Sequence, residues 1–149
     1  MIYILSAPIQ SGKTTSLINW SATRNDVYGI LTPVINGKRI FMNAHTREQF
    51  PMEAGGEEEV LAIGRFIFSK AGFDKAIQII RNAMNTEGWL VIDEIGPLEL
   101  EGKGFYDIVN EILMLRKNKM ILVVRSGLAE KVKALFMINA TEVNSIDEI

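Results

Sequence analysis

One stretch near the start of the chain restricts the fold more than any other feature. Residues 6–16 read SAPIQSGKTTS and directly follow the apolar run IYIL at 2–5. A short run of β-branched, aromatic and leucine residues predicts a buried strand. The run KTTSLINWSA, from Lys13 to about Ala22, holds no glycine or proline and predicts a helix. The stretch therefore joins a buried strand to a helix, with a glycine where the helix begins.

The spacing of this stretch matches the phosphate-binding pattern G-x-x-x-x-G-K-[ST], except that Ala7 stands at the first glycine. In that pattern, backbone N–H groups and the positive end of the helix bind phosphate oxygens. Lys13 is expected to reach the β and γ phosphates, Thr14 to bind Mg²⁺ through its hydroxyl, and Thr15 to contact the α phosphate. Alanine is small, so we expect Ala7 to be tolerated without loss of binding. The candidate nucleotide-binding residues are Ala7, Pro8, Ile9, Gln10, Ser11, Gly12, Lys13, Thr14 and Thr15.

A second motif with functional character lies about eighty residues further on. Residues 90–94 read LVIDE, an apolar strand that ends in two adjacent carboxylates. In proteins with a phosphate loop, an aspartate in this setting orients Mg²⁺, which is the role expected for Asp93. A neighbouring glutamate can orient and deprotonate the attacking water, so Glu94 is the candidate general base. Strand alternation alone would direct the two side chains to opposite faces, but we expect the chain to turn at Asp93 and bring both to one site.

The segment YGILTPVINGKRIFM at 28–42 predicts a β-hairpin. Two alternating runs flank Asn36 and Gly37, and Asn-Gly favours a turn in which both residues have positive φ. Pro33 lies inside the first run and cannot donate to a strand ladder. The strand that contains Pro33 is therefore expected at a sheet edge, or to be bulged there.

The remaining apolar patterns alternate between strands and helices. Further strands are predicted at 62–69, 89–93, 120–124 and 137–143, and further helices at 73–84, 104–116 and 129–136, with Asp74 in the first turn of the second helix and an aperiodic acidic loop at 53–59. Strands that are apolar on both faces and alternate with amphipathic helices are typical of a mainly parallel sheet covered on both sides. The sequence predicts an α/β fold with an added β-hairpin, in one domain over residues 1–149.

Composition restricts the classes of partner. A net charge of −2 gives no broad attraction to nucleic acid, so a nucleic-acid partner is not expected. The chain has no cysteine for a disulfide or a thiolate metal site. The apolar start MIYIL is too short for a signal peptide, and no run approaches the roughly 20 apolar residues of a membrane span. The expected location is the cytoplasm.

Three weaker candidates lie outside the two motifs. Arg125 comes after an apolar strand, at the edge where Asp93 lies, and could stabilise phosphate charge in the transition state; a solvated arginine paired with a surface acid is an equal alternative. His45 is the single histidine and is expected in a surface loop rather than at a metal. Phe41 or Phe50 could stack on a base.

Taken together, SAPIQSGKTT, the hairpin and above all VIDEIGPLEL at 91–100 resemble the small nucleoside-triphosphatase family known from thermophiles and from the human cancer-related enzyme. The resemblance implies a RecA-like P-loop NTPase fold and slow Mg²⁺-dependent hydrolysis of ATP, GTP and other nucleoside triphosphates. It assigns the phosphate loop to residues 7–15, the Mg²⁺-orienting acid to Asp93 and the base to Glu94. Two features depart from the family: Ala7, and VVRSG at 123–127 in place of a Thr-Ile-Pro-like turn.

Two other functions remain open on the sequence. A nucleotide or small-molecule kinase would need an acceptor pocket and usually an arginine-rich lid, whereas the seven arginines of this chain are scattered. A nucleotide-dependent switch or partner-binding protein would change conformation or oligomeric state on binding nucleotide. The preferred base, the protein partners and the oligomeric state are not indicated by any motif.

Overall fold

The computed structural model describes residues 1–7, 12–55, 60–63, 66–115 and 117–149. The strands are β1 (Ile2–Ala7), β2 (Val27–Leu31), β3 (Val34–Ile35), β4 (Lys38–Asn43), β5 (Gln49–Pro51), β6 (Val60–Ile63), β7 (Phe66–Ser69), β8 (Trp89–Ile95), β9 (Lys119–Arg125) and β10 (Thr141–Val143). The helices are α1 (Lys13–Ala22), α2 (Lys70–Ala83), α3 (Pro97–Leu100), α4 (Tyr106–Leu115) and α5 (Ala129–Phe136), and a 3₁₀ turn spans Ile146–Glu148. Among the described residues, no helix has the length and apolar character needed to cross a membrane.

The main sheet has the strand order β10-β1-β9-β8-β2-β4-β3, with β5 also paired to β4. The first five strands pair in parallel, and the pairs made by β4 are antiparallel. The predicted α/β fold with a mainly parallel sheet is confirmed. The antiparallel strands β3, β4 and β5 form an extension on the β2 side, which we call the hairpin extension.

Helices cover both faces of the sheet because successive residues of its strands point to opposite sides. Ile4 packs in a core with residues of α2, α4 and α5, whereas the next residue, Leu5, packs in a second core with Leu17 of α1 and Ile146 of the 3₁₀ turn. This two-sided burial explains why the parallel strands are almost continuously apolar.

The hairpin is confirmed at its turn and differs on its first strand. Asn36 and Gly37 have φ of 52° and 77°, as the Asn-Gly pair predicts. The first run does not form one strand, because it is interrupted at 32–33. Pro33 has no N–H to donate, and its carbonyl accepts from the Ile40 N–H at 3.0 Å. As a result β2 is an internal strand of the sheet, and of the two strands that this run forms, the short β3 is the one at an edge.

The single strand predicted at 62–69 is wrong. The structure has two short antiparallel strands, β6 and β7, in a separate two-stranded sheet, with Ile63 opposite Phe66. Two residues, one of them Gly64, separate these apolar runs, which is hairpin spacing. Of the acidic loop predicted at 53–59, residues 56–59 lie outside the described residues.

Helix α2 begins three residues before the predicted start. Ser69 caps it by accepting a hydrogen bond from the Gly72 N–H at 3.0 Å. Asp74 is therefore in the second turn rather than the first, and pairs with Lys70 at 2.8 Å instead of meeting the helix N-terminus.

Other predicted boundaries shift by a few residues. The helix predicted at 104–116 starts at Tyr106 and is preceded by the separate short helix α3, and the last strand is confined to Thr141–Val143. The helix at 129–136 is confirmed. Strands β1, β8 and β9 each run further toward their carboxyl ends than predicted, which places Ala7, Glu94 and Arg125 within strands.

Candidate nucleotide site at the carboxyl edge of the sheet

The candidate residues converge on one edge of the sheet. Strands β1, β2, β8 and β9 are parallel, so their carboxyl ends meet at the same edge. Ala7 ends β1 and lies directly opposite Arg125, which ends β9. Asp93 and Glu94 are near the end of β8, on the other side of β9. In open α/β sheets, this edge is where ligands bind.

Gly12 has the backbone conformation that the phosphate-binding pattern requires. Its φ of 85° is left-handed, a region that glycine enters at no steric cost, and it is the N-cap residue of α1. The first turn of α1 carries no acidic residue, so its positive end is not offset by a negative charge of its own. Lys13 is the first residue of the helix, and Thr15 is exposed. Residues Pro8, Ile9, Gln10 and Ser11 lie outside the described residues.

A short hydrogen bond joins the two sequence motifs. The Thr14 hydroxyl donates to Asp93 Oδ2 at 2.7 Å, across 79 positions of sequence. Thr14 is held by the first turn of α1 and Asp93 by the buried strand β8. The fold thus places the two side chains that the sequence assigns to a metal ion directly against each other.

Asp93 is buried deeply for a carboxylate. Its side chain is 1% exposed, and Oδ2 also accepts from the Thr32 N–H at 3.1 Å. Burial raises the pKa of Asp93, against the opposing effects of the hydrogen bonds from Thr14 and Thr32. Thr32 directly follows β2 and was not identified from the sequence. The available signal was a polar residue at the carboxyl end of a buried strand.

A β-bulge explains how adjacent carboxylates come to share one site. Asp93 pairs with Val123 and Ile95 with the next residue, Val124, so Glu94 is the extra residue of β8. Such a bulge re-aims a side chain that regular alternation would send to the other face. The sequence led us to expect that the chain turns at Asp93, and the structure shows no such turn. The strand continues to Ile95 with Glu94 displaced from its ladder.

Glu94 is partly buried in a mixed electrostatic environment. Burial, followed by the negative charge of Asp93, raises the pKa of the Glu94 carboxyl. Three cations oppose the shift, of which Arg39 has the largest effect, ahead of Arg125 and Lys13. A carboxyl whose pKa is moved toward neutrality is suited to accept a proton from water.

Arg125 lies beside Glu94 in a loose contact. Its Nη2 is 3.9 Å from Glu94 Oε1, and its side chain is 40% exposed. Its Nε is buried and has no hydrogen-bond partner within the described residues. The partner of Arg125 in this ion pair is thus the candidate base Glu94, whose side chain is 19% exposed, and not an exposed surface acid.

Arg39 was missed by sequence reasoning. It is at the start of β4, opposite Val34, and its N–H donates to Glu53 Oε2 at 2.8 Å. Its positive charge opposes the rise that burial causes in the pKa of both Asp93 and Glu94. The sequence signal was a basic residue just after the Asn-Gly turn. Only the folding of the hairpin extension toward the end of β2 brings that charge to the carboxylates.

The chemistry of the site fits a divalent metal. No group of three or more histidine, cysteine, aspartate or glutamate residues that could hold a metal occurs within the described ranges. Mg²⁺ does not need such a group, because it commonly takes one or two protein oxygens together with waters and substrate phosphates. Thr14 Oγ1 and Asp93 Oδ2, 2.7 Å apart, are hard oxygen donors of this type.

Two of the weaker candidates have clear locations. His45 is exposed and stacks on Tyr28 with ring centroids 4.4 Å apart, so its expected surface position is confirmed. The suggestion that Phe41 or Phe50 stacks on a base is wrong. Phe41 is 0% exposed and Phe50 8% exposed, and the two rings pack against each other in the core.

The fold and the site together indicate the class of protein. A mainly parallel sheet flanked by helices, with a glycine-initiated helix next to a buried aspartate, is the arrangement of a P-loop NTPase. The family model described as NTPase matches residues 2–149. The chain belongs to this NTPase family and is a nucleoside-triphosphatase enzyme.

Two solved structures resemble the chain in fold. One is THEP1 from the hyperthermophile Aquifex aeolicus, with a TM-score of 0.75 and 19% identity, covering 99% of this chain and 92% of that one. The other is a human cancer-related nucleoside triphosphatase, with a TM-score of 0.66 and 20% identity, covering 98% and 89%. No curated protein matches the chain by sequence. The family resemblance noted in the two motifs is confirmed.

Proposed function

We propose that residues 1–149 form a single P-loop domain that hydrolyses ATP, GTP and other nucleoside triphosphates to the diphosphate and phosphate, with Mg²⁺ as cofactor. The observation that carries this proposal is the 2.7 Å hydrogen bond between Thr14 and Asp93. It joins the end of a phosphate loop to an acidic strand end, and these are the two halves of a nucleotide–metal site.

The amino-terminal motif is proposed to bind the nucleotide. Backbone N–H groups of residues 7–15 and the N-terminus of α1 would hold the phosphates. Lys13, the first residue of α1, would bind the β and γ phosphates. Nothing in the described residues favours one base, which agrees with several nucleoside triphosphates as substrates.

Thr14 and Asp93 are the proposed ligands of Mg²⁺. When bound there, the ion would neutralise charge on the β and γ phosphates. Burial raises the pKa of Asp93, and the Thr14 and Thr32 hydrogen bonds favour its ionised form. These contacts fix the carboxylate in place before nucleotide binds.

Glu94 is the proposed general base. A water oxygen would attack the γ phosphorus, the bond from that phosphorus to the bridging oxygen would break, and the nucleoside diphosphate would leave with the bonding pair. Glu94 would accept the proton from the attacking water. Arg125, 3.9 Å from Glu94, and Arg39 are proposed to stabilise the negative charge of the transition state.

Phosphate release from ATP, GTP, CTP and UTP, with and without Mg²⁺, tests this proposal directly. Lys13→Ala should abolish nucleotide binding and turnover together. Glu94→Gln should bind nucleotide within about threefold of wild type and lose at least about a hundredfold in kcat, because it keeps the shape of the base and removes its basicity. Unchanged turnover in Glu94→Gln would remove Glu94 from the mechanism.

Product analysis separates hydrolysis from phosphoryl transfer. Equal amounts of nucleoside diphosphate and free phosphate are expected whether or not an acceptor nucleotide is present. Transfer of the γ phosphate to an added acceptor would instead identify a kinase. The absence of cysteine supports a cytoplasmic location.

A further inference from the structure

Glu99 is a carboxyl group buried just beyond the proposed site. The residue is 3% exposed. Oε1 accepts from the Gly96 N–H at 2.7 Å, and Oε2 accepts from the Phe105 N–H at 2.9 Å. One carboxyl group therefore joins the residue before α3 to the residue just before α4.

The surrounding backbone is shaped around this carboxyl group. Gly104 has a left-handed φ of 60°, and a Cβ placed on it would overlap Glu99 Oε2. Only a glycine at this position lets the chain pass so close to the carboxyl oxygen. The segment between α3 and α4 is thus built to enclose Glu99.

Gly96 links Glu99 to the proposed base. It lies two residues after Glu94, and Glu94 Oε1 is 3.7 Å from the position that a Cβ on Gly96 would take, so the carboxyl lies on that side of the glycine. The N–H of the same residue is held by Glu99. Movement of the Gly96 backbone would consequently shift the end of β8, which carries Glu94.

The stability gained by capping α3 is too small to explain why the Glu99 carboxyl is buried. Helix α3 is a single turn of four residues. Burial, with a smaller contribution from the charge of Glu94, raises the pKa of Glu99 to about 7, despite the hydrogen bonds from Phe105 and Gly96. A group with this desolvation cost is expected where fixed geometry matters.

We propose that Glu99 is a positioning residue for hydrolysis, which holds the Gly96 and Phe105 backbone and thereby keeps Glu94 aligned with the attacking water. This role rests on the proposed function of Glu94. In this proposed role Glu99 neither contacts substrate nor transfers a proton.

Glu99→Gln is the principal test variant. It keeps the length of the side chain, but its amide has one acceptor oxygen for the two N–H donors. The expected result is a loss of about tenfold or more in kcat with KM for ATP within threefold of wild type. Amide hydrogen exchange at Gly96 and Phe105 should be faster than in wild type.

A double-mutant cycle distinguishes positioning from a general structural role. If Glu99 acts through Glu94, Glu99→Gln will lower kcat by less than twofold when Glu94 is already glutamine. If the fold-losses in kcat of the two single variants multiply in the double variant, the two residues act independently and the proposal is overturned. A kcat of Glu99→Gln within twofold of wild type would overturn it as well.

Glu148 offers a matched control. Its Oε2 accepts from the N–H groups of Asn144 and Ser145 at 2.7 and 2.8 Å, in a similar cap that is exposed. Glu148→Gln should leave kcat unchanged, and an equal loss in this variant would contradict a specific role for Glu99.

A second variant covers the case in which Glu99→Gln does not fold. Glu99→Asp keeps the charge but is one methylene too short to reach both amides, so its kcat should fall with little change in KM. Full activity in Glu99→Asp would overturn the proposal. Absence of phosphate release from the wild-type chain would instead refute the proposed function, while amide exchange would still report on the Gly96 and Phe105 contacts.

Discussion

The parallel strands and the hairpin extension contribute to the site in different ways. The parallel strands are buried on both faces and supply Asp93, Glu94 and Arg125 at their carboxyl ends. The hairpin extension is partly exposed, with β3 exposed at both residues, and contributes the charge of Arg39. The carboxylates and Arg125 thus come from the buried strands, and a further compensating cation, Arg39, comes from the hairpin extension.

This difference shows how burial and function are coupled. Polar groups near the end of a strand covered on both faces, and in the short helix α3 that follows it, are desolvated, so burial raises the pKa of Asp93, Glu94 and Glu99 alike. A long side chain on the exposed extension keeps its charge in water and acts over a distance. The parallel strands together with α3 should therefore determine the stability of the fold and its pH dependence. The hairpin extension should adjust the charge of the site.

One glycine in each region allows the cost of an added side chain to be compared directly. Gly29 of β2 has φ of 111°, and a Cβ on it would overlap the Val91 carbonyl oxygen of β8, whereas Gly37 in the hairpin turn has φ of 77° and open space. We expect Gly29→Ala to lower the free energy of unfolding by at least about 3 kcal/mol, because strain and overlap add. Gly37→Ala should cost about 1 kcal/mol, from strain alone. Urea unfolding of both variants measures the two values, and equal losses would break the distinction.

The pH dependence of stability is expected to originate in the buried carboxyl groups near the end of β8 and in the following helix α3. The pKa of Glu99 is about 7 in the folded chain against a usual 4.5, so the folded state holds a proton that the unfolded state has lost between these values. The free energy of unfolding should therefore fall as pH rises from about 4.5 to 7, by about 3 kcal/mol for Glu99. The raised pKa values of Asp93 and Glu94 act in the same direction.

Urea unfolding between pH 5 and 8 checks this prediction. Glu99→Gln cannot titrate, so its curve should be flatter than that of wild type. Parallel curves for the two proteins would show that Glu99 does not carry the effect.

Arg39 and Arg125 allow a comparison of catalytic contributions. Because Arg39 has the larger effect on Glu94, Arg39→Ala should lower kcat by about tenfold and Arg125→Ala by about threefold. Removing Arg39 also removes a charge that lowers the pKa of Glu94, so the acid limb of the kcat profile should move to higher pH. Steady-state kinetics from pH 5 to 9 measure both effects.

Arg24→Ala is the control for these variants. Arg24 is exposed, and its Nε is 2.9 Å from Asp26 Oδ1 at the amino end of β2, the opposite edge of the sheet. It should leave kcat and the pH profile unchanged. If Arg125→Ala lowers kcat more than Arg39→Ala does, the cation that matters most to the site comes from the parallel strands and not from the hairpin extension.

Local sequence signals predicted much of the site. The order strand, glycine, lysine and threonine predicted α1, which begins at Lys13, because the left-handed conformation at Gly12 and helix propensity are local properties. Asn36 and Gly37 predicted their turn for the same reason. The apolar run up to Asp93 placed a carboxylate at the carboxyl edge, because parallel strands share that edge.

Other features depended on contacts between distant residues. Ser69 and Pro33 moved element boundaries through hydrogen bonding that apolar periodicity does not register. The bulge at Glu94 exists only relative to the register of β9. Burial of Glu99 depends on Gly104 and Phe105, which follow a separate short helix.

The sequence by itself determined the phosphate-loop helix, the acidic end of β8 and the mainly parallel sheet, since each follows from local conformation and apolar periodicity. The tertiary structure alone decided which groups meet there: Thr14 with Asp93, Thr32 beside them, and the charges of Arg39 and Arg125 around Glu94. Such meetings require residues distant in sequence to be within a few ångströms, and strand order and register set those distances. Strand pairing and burial, which no local pattern encodes, therefore bring the two sequence motifs together at one site.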